Sequence, residues 1–190
     1  MQLSRGGIGE GTNFLDSLAV QPLPGHDDGV TTDATPWKPA NPAYEAVVRE
    51  SLGRQTLMGT LGARLTHIAP GVVELSAPYS PEFAQQNGYW HAGAVASLAD
   101  SANGYAAFSL APAGTDVLAV EFKINLLAPA RGEQFIASGR VLRPGRTLTA
   151  CFAEVFAVTG DDRTLIATML STIIIRPVDG EREAAGARKP

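Results

Sequence analysis

The apolar patterning of this 190-residue chain predicts an α+β fold in which a curved antiparallel sheet wraps around one long central helix. Three observations carry that prediction. The run AGAVASLADSANGYAAFSLA, Ala92 to Ala111, is apolar or small on nearly every face, as a helix covered on all sides must be. Its many alanines and glycines, among them Gly93, Ala96, Ala99, Ala102 and Gly104, allow close approach by neighbouring elements. Around it lie six segments with strand-like composition, separated by short turn signals.

The elements follow in order. Residues 1 to about 40 are rich in Gly, Pro, Thr and Asp, carry little periodic apolar signal, and read as a flexible or arm-like leader. From Pro42, PAYEAVVRESLGRQTLMG has amphipathic-helix spacing, with Tyr44, Val47, Val48, Leu52 and Leu57 on one side and Glu45, Arg49 and Glu50 on the other. GARLTHIAPG and VVELSAPYS form a hairpin across Pro70-Gly71, a dipeptide suited to a tight turn. After the apolar helix, VLAVEFKINLLAPA alternates strictly. Leu118, Val120, Phe122, Ile124 and Leu126 are expected on a buried face and Ala119, Glu121, Lys123 and Asn125 on a wetter one. EQFIASGRVLR, TLTACFAEVFAVT and TLIATMLSTIIIR complete a meander through turns at PARGE, RPGR and TGDDR. The main domain is placed at 41–178, with a polar tail at 179–190. Such a sheet leaves two edges, and a long apolar edge strand predicts dimerisation.

Composition narrows the function. The length supports one substantial core and no second large domain. A net charge of −4, without any Lys/Arg block, lacks the footprint of a nucleic-acid binder. Cys151, the single cysteine, lies in CFAEVFAV and reads as a strand-interior residue rather than a nucleophile. His26, His67 and His91 are scattered without a second ligand at zinc-like spacing, so no metal is expected. No apolar signal segment opens the chain, which predicts a cytoplasmic protein. The apolar run itself carries Asp100 and Asn103 and lacks basic flanks, so it reads as a core helix and not a membrane span. Ser97 and Ser101 lack the Gly-x-Ser-x-Gly elbow of serine hydrolases.

Asp100 is the one charged residue between His91 and Asp116. Burying an ionised carboxylate costs on the order of several kcal/mol unless it is paired, and burial moves its pKa up, toward the range of a general base. A structural Asp held by backbone donors, Ser101 or Asn103 is the plain alternative.

QQNGYWHAGAVASLADSANGYAA, EFKINLLAPARGE and RVLRPGRTLT together resemble the hotdog-fold acyl-CoA thioesterases of the phenylacetate-degradation type, within the 4-hydroxybenzoyl-CoA thioesterase superfamily. The resemblance covers roughly residues 55 to 176 and rests on four blocks in order: the His91 turn, Asp100, the 125–132 segment and the Pro144-Gly145-Arg146 turn. It implies hydrolysis of a medium-chain or aryl acyl-CoA to CoA and a carboxylic acid by a homodimer or homotetramer, with CoA entering as part of the substrate and no cofactor. Asp100 takes the position of the general base or nucleophile. The Ala92 backbone N–H takes that of the oxyanion donor, Ala92-Gly93 replacing the family's Gly-Gly. Gln85, six positions before His91, matches the amide that holds the carbonyl or water, with Asn87 as competitor. His91 is expected to orient the loop. A strand Ser or Thr found in some relatives is replaced by Ala119. Arg143, Gly145 and Arg146 are the candidates for the CoA phosphates, and Phe83, Tyr89, Trp90 and Tyr105 for the acyl group. Two rivals stay open: a non-catalytic acyl-CoA-binding protein and an acyl-thioester hydratase or dehydratase.

Overall fold

The computed structural model describes residues 37–178, and both the greater part of the leader and the 179–190 tail lie outside them. The elements are α1 (Tyr44–Arg54), α2 (Thr56–Thr60), β1 (Arg64–Ala69), β2 (Val72–Pro78), a 3₁₀ turn (Pro81–Phe83), α3 (Ala92–Phe108), β3 (Thr115–Leu126), β4 (Gln134–Arg143), β5 (Leu148–Thr159) and β6 (Asp162–Pro177). The six strands form one antiparallel sheet in the order β1-β2-β4-β5-β6-β3, with α3 packed on its inner face. Trp37, within the segment read as leader, packs against the core.

The long helix forms where the apolar run predicted it and ends at Phe108, followed by Ser109. That buried hydroxyl donates to Ala106 C=O at 2.7 Å and accepts from Gly71 N–H at 2.7 Å, tying the helix end to the β1–β2 turn. Gly71 has φ 79°, the left-handed geometry this turn requires. Against the helix stand Val73, Leu75 and Ala77 of β2, Phe135 and Ala137 of β4, Val155 of β5 and Met169 of β6, all fully buried. Truncating one of the large members to Ala would cost about 2–5 kcal/mol. Trp90 stacks on Phe135, centroids 4.2 Å apart and planes 1° from parallel, which fixes the entry to the helix. The closest approach is at Gly139: a Cβ there would lie 2.5 Å from the Ala102 carbonyl carbon.

Two sequence expectations are corrected. The segment 42–59 is not one helix: Gln55, at φ −80° and ψ 98°, breaks it into α1 and α2 and leaves Leu57 half-exposed. The alternation in β3 is interrupted by a register shift between Ala119 and Glu121. Before the shift, Ala119 pairs with Ile173 and Leu118 with Ile174; after it, Phe122 pairs with Ser171 and Ile124 with Met169. Ser171 accepts a hydrogen bond from Asn103 of α3, so its side faces the helix. Ala119, Phe122 and Ile124 therefore share the helix side, and Leu118 points to the outer face. The predicted burial is also absent: Leu118, Val120, Phe122 and Leu126 are 46%, 56%, 47% and 55% exposed. In the single chain β3 is an apolar edge.

Candidate active site

The 84–90 loop is a small hairpin made by its own sequence. Ala84 bridges Trp90, Gln85 N–H donates to Tyr89 C=O at 2.8 Å, Gly88 N–H donates to Gln85 C=O at 2.9 Å, and Gly88 takes φ 80°. The Gln85 side-chain oxygen accepts from the Asn87 N–H. His91 then caps α3. Its extended backbone (φ −64°, ψ 140°) starts the helix, and Nδ1 accepts from Gly93 N–H at 2.8 Å. This is the loop-orienting bond expected of it. Gly93 keeps the cap open, since a Cβ there would lie 3.0 Å from Nδ1. The Ala92 N–H, at the first helical position, has no acceptor among the described residues and carries the positive end of the helix dipole.

Gln85, Asn87 and Ala92 line one cavity of about 330 Å³ with Tyr89, Trp90, Val95, Leu126 and Ile166. His91 borders a different hollow of about 300 Å³, with Leu57, Leu61, Phe83 and Ser97. Asp100 is in neither. It lines a third cavity of about 320 Å³ with Ser51, Gln55, Ser101, Tyr105, Asp116 and Ala119. The structure therefore brings Gln85, Asn87 and Ala92 together but separates them from Asp100. Ala92 and Asp100 are eight positions apart on the helix, about 12 Å along the axis. Arg143 ends β4, and Gly145 and Arg146 follow in the exposed β4–β5 turn, all outside these hollows. Gly145 is required there because a Cβ would lie 2.1 Å from Leu148 C=O. The four aromatic acyl candidates do not converge either: Tyr89 and Trp90 line the first cavity, Phe83 the second and Tyr105 the third.

Asp100 has the electrostatics expected of it. Burial raises its carboxyl pKa above the ordinary 3.8, and Oδ1 is buried without a hydrogen-bond partner. Neither Ser101 nor Asn103 holds it: Ser101 Oγ donates to Gln55 Oε1 at 3.1 Å, and Asn103 Nδ2 donates to Ser171 Oγ at 2.8 Å. Cys151 is buried and its thiol is pushed up to about 12, away from nucleophilic use. Ser51, Gln55 and Asp116 are site neighbours that sequence reasoning missed. Gln55 gave no signal, since it lay inside a segment read as continuous helix.

Known proteins share this fold. A family model described as the thioesterase superfamily matches residues 87–164, which include Asn87, Ala92, Asp100 and the β4–β5 turn. The crystal structure of a thioesterase family protein from Silicibacter pomeroyi is 47% identical, covers 71% of this chain and 99% of its own, and superposes with a TM-score of 0.70. The PaaI protein of the E. coli phenylacetic acid degradation operon is 17% identical, covering 72% and 94%, and shares the fold at a TM-score of 0.64. A candidate esterase of Halobacterium salinarum is 30% identical over 122 residues, 62% of this chain and 79% of its own. With a hotdog sheet around α3 and such likeness to whole relatives, the chain belongs to the thioesterase superfamily and is a thioester hydrolase.

Proposed function

We propose that the chain hydrolyses acyl-CoA thioesters at sites formed between two copies of itself. The observation that carries this reading is the separation of two complementary half-sites on one helix: an unpartnered, desolvated carboxylate at Asp100 and an unpartnered N–H at Ala92. One thioester carbonyl cannot meet both in a single chain. The exposed apolar edge of β3 supplies the way round. Antiparallel pairing of two β3 edges about a two-fold axis sets each strand's Thr115 end beside the partner's Leu126 end. Asp100's cavity is walled by Asp116 to Ala119 and Ala92's cavity by Leu126. The pairing thus lays Asp100 of one chain against the Ala92 cavity of the other.

In the joint site the carboxylate of Asp100 takes a proton from water as the water oxygen attacks the carbonyl carbon. The resulting oxyanion accepts from the Ala92 N–H, whose donor is fixed before reaction and costs no reorganisation. Collapse breaks the C–S bond, and the thiolate of CoA receives the proton. Gln85, held by its bond to Asn87, borders the carbonyl position. Water, a carboxylate and a backbone donor suffice, so no cofactor is required. Arg143 and Arg146, exposed on a turn held open by Gly145, offer guanidinium donors to the CoA phosphates.

Thiol release from short, medium, long and aryl acyl-CoAs, run beside an equilibrium measurement of mass, tests the reading. Turnover by a dimer or larger assembly is expected. Turnover by a monomer would discard the shared site, and acyl-CoA binding without turnover would discard hydrolysis of CoA esters.

A further inference from the structure

A carboxylate base needs a second group that donates to the water it activates, and the β3 residues on Asp100's cavity, Asp116, Val117, Leu118 and Ala119, bring no hydroxyl or amide side chain. Ser51, Gln55, Ser101 and Tyr105 from other elements line the same cavity; Ser51 Oγ and Tyr105 Oη stand 3.5 Å apart, and Ser101 and Gln55 are bonded to each other. Ser101 follows Asp100 on α3, and its Oγ donates to Gln55 Oε1 at 3.1 Å. Gln55 reaches this wall because it interrupts the helix between α1 and α2. Its backbone is fixed on both sides, N–H donating to Leu52 C=O at 3.0 Å and C=O accepting from Gly59 N–H at 3.1 Å. With the amide oxygen engaged by Ser101, the amide nitrogen keeps donors for a partner in the cavity. Asp100 lines the same cavity, and its Oδ1 is buried and unbonded. A water there would accept from the amide N–H and donate to the carboxylate, which leaves its second lone pair for attack.

We infer that Gln55, locked by Ser101, is the positioning residue that holds the attacking water on Asp100, in place of the strand hydroxyl that Ala119 lacks. The inference rests on the hydrolysis reading above with Asp100 as base. The pair lies off the strand, with Gln55 at the break between α1 and α2 and Ser101 on α3.

The test compares wild type, Asp100→Asn, Gln55→Leu, Ser101→Ala and the double variant Gln55→Leu/Ala119→Ser, each shown folded by circular dichroism, in steady-state thiol release with the best acyl-CoA. Gln55→Leu is expected to lower kcat about tenfold to a hundredfold with KM within about twofold, the scale of a misplaced reactant. Ser101→Ala should fall in the same direction by less, and the added hydroxyl of Ala119→Ser should restore part of the loss. A structural role would not produce that rescue. Unchanged kcat in Gln55→Leu, a loss carried by KM, or no recovery in the double variant overturns the inference. Should Gln55→Leu not fold, Ser101→Ala decides in its place, unchanged kcat there overturning the inference. Full activity in Asp100→Asn would instead sink the underlying reading, so the two failures are separable.

Discussion

The N-terminal end and the middle of α3 are chemically unlike. The N-terminal end presents a backbone donor in a cavity whose walls are largely apolar, with Val95, Leu126 and Ile166 around it. The middle of the helix presents a carboxylate among Ser51, Gln55, Ser101, Tyr105 and Asp116. The N-terminal end suits an acyl group and a developing oxyanion, the middle water and a proton. Nothing in the single chain joins them. In the proposed reading the difference makes catalysis depend on how two copies are arranged, each chain carrying halves of two different sites.

The largest expected effect comes from erasing the acidic half. Asp100→Asn should lower kcat at least about a hundredfold, the contribution of a positioned base. Wild-type activity should also fall as pH drops through an apparent pKa above 3.8, because only the ionised carboxylate accepts a proton. The same variant should be more stable than wild type at neutral pH. Burial raises the native pKa of Asp100, so the native state loses stability as pH rises from the unfolded value through the native one, and Asn escapes that loss. Thermal unfolding at several pH values should show the gain shrinking toward pH 3.8.

Erasing the other half requires removal of an N–H, and the first position of a helix tolerates proline. His91 already has the extended conformation that a following proline demands. Ala92→Pro should cut kcat about a hundredfold with the fold intact. Mixing this chain with Asp100→Asn sharpens the comparison. In a two-fold dimer with freely exchanging chains, half the dimers are mixed and each has one intact site, so about a quarter of wild-type activity should return. No return would place both groups in one chain's site.

A smaller effect is expected outside the two cavities. Arg143→Ala combined with Arg146→Ala should raise KM for acyl-CoA about tenfold, in keeping with loss of charge-assisted bonds to phosphate. KM for an acyl-pantetheine, which lacks those phosphates, should stay unchanged. The smallest effect concerns the cap. His91→Ala should cost about 1 kcal/mol of stability, and His91→Asn, which retains a capping acceptor, should cost less in denaturant titration.

Much of this was legible in the residues because local chemistry decided it. The length of α3, the turn at Pro70-Gly71 and the meander of β4 to β6 follow from apolar periodicity and turn composition. Asp100 was legible as a lone charge in an apolar run. Gln55 was not, because α1 and α2 have one continuous amphipathic pattern and tertiary packing, not composition, breaks them there. The phase of β3 was hidden for a related reason. Val120 at the register shift is as good a strand residue as its neighbours, and only pairing with β6 shows that the alternation inverts beyond it. That one residue decides which side chains reach the helix side of the sheet. It puts Ala119 in Asp100's cavity and turns Leu118 outward.

The contact at Gly139 sets a scale for the enzyme. With no side chain there, the backbone of β4 lies directly on the Ala102–Asn103 peptide, so α3 can neither roll nor slide without a collision. In the proposed dimer the Asp100 carboxylate and the Ala92 N–H come from different chains, so a helix held against β4 fixes where each half-site stands in its own chain. Variation in acyl length must then be written elsewhere, in the 84–90 hairpin and the 128–130 segment that wall the apolar hollow. A library built to change chain-length preference should leave α3 alone and vary those two loops.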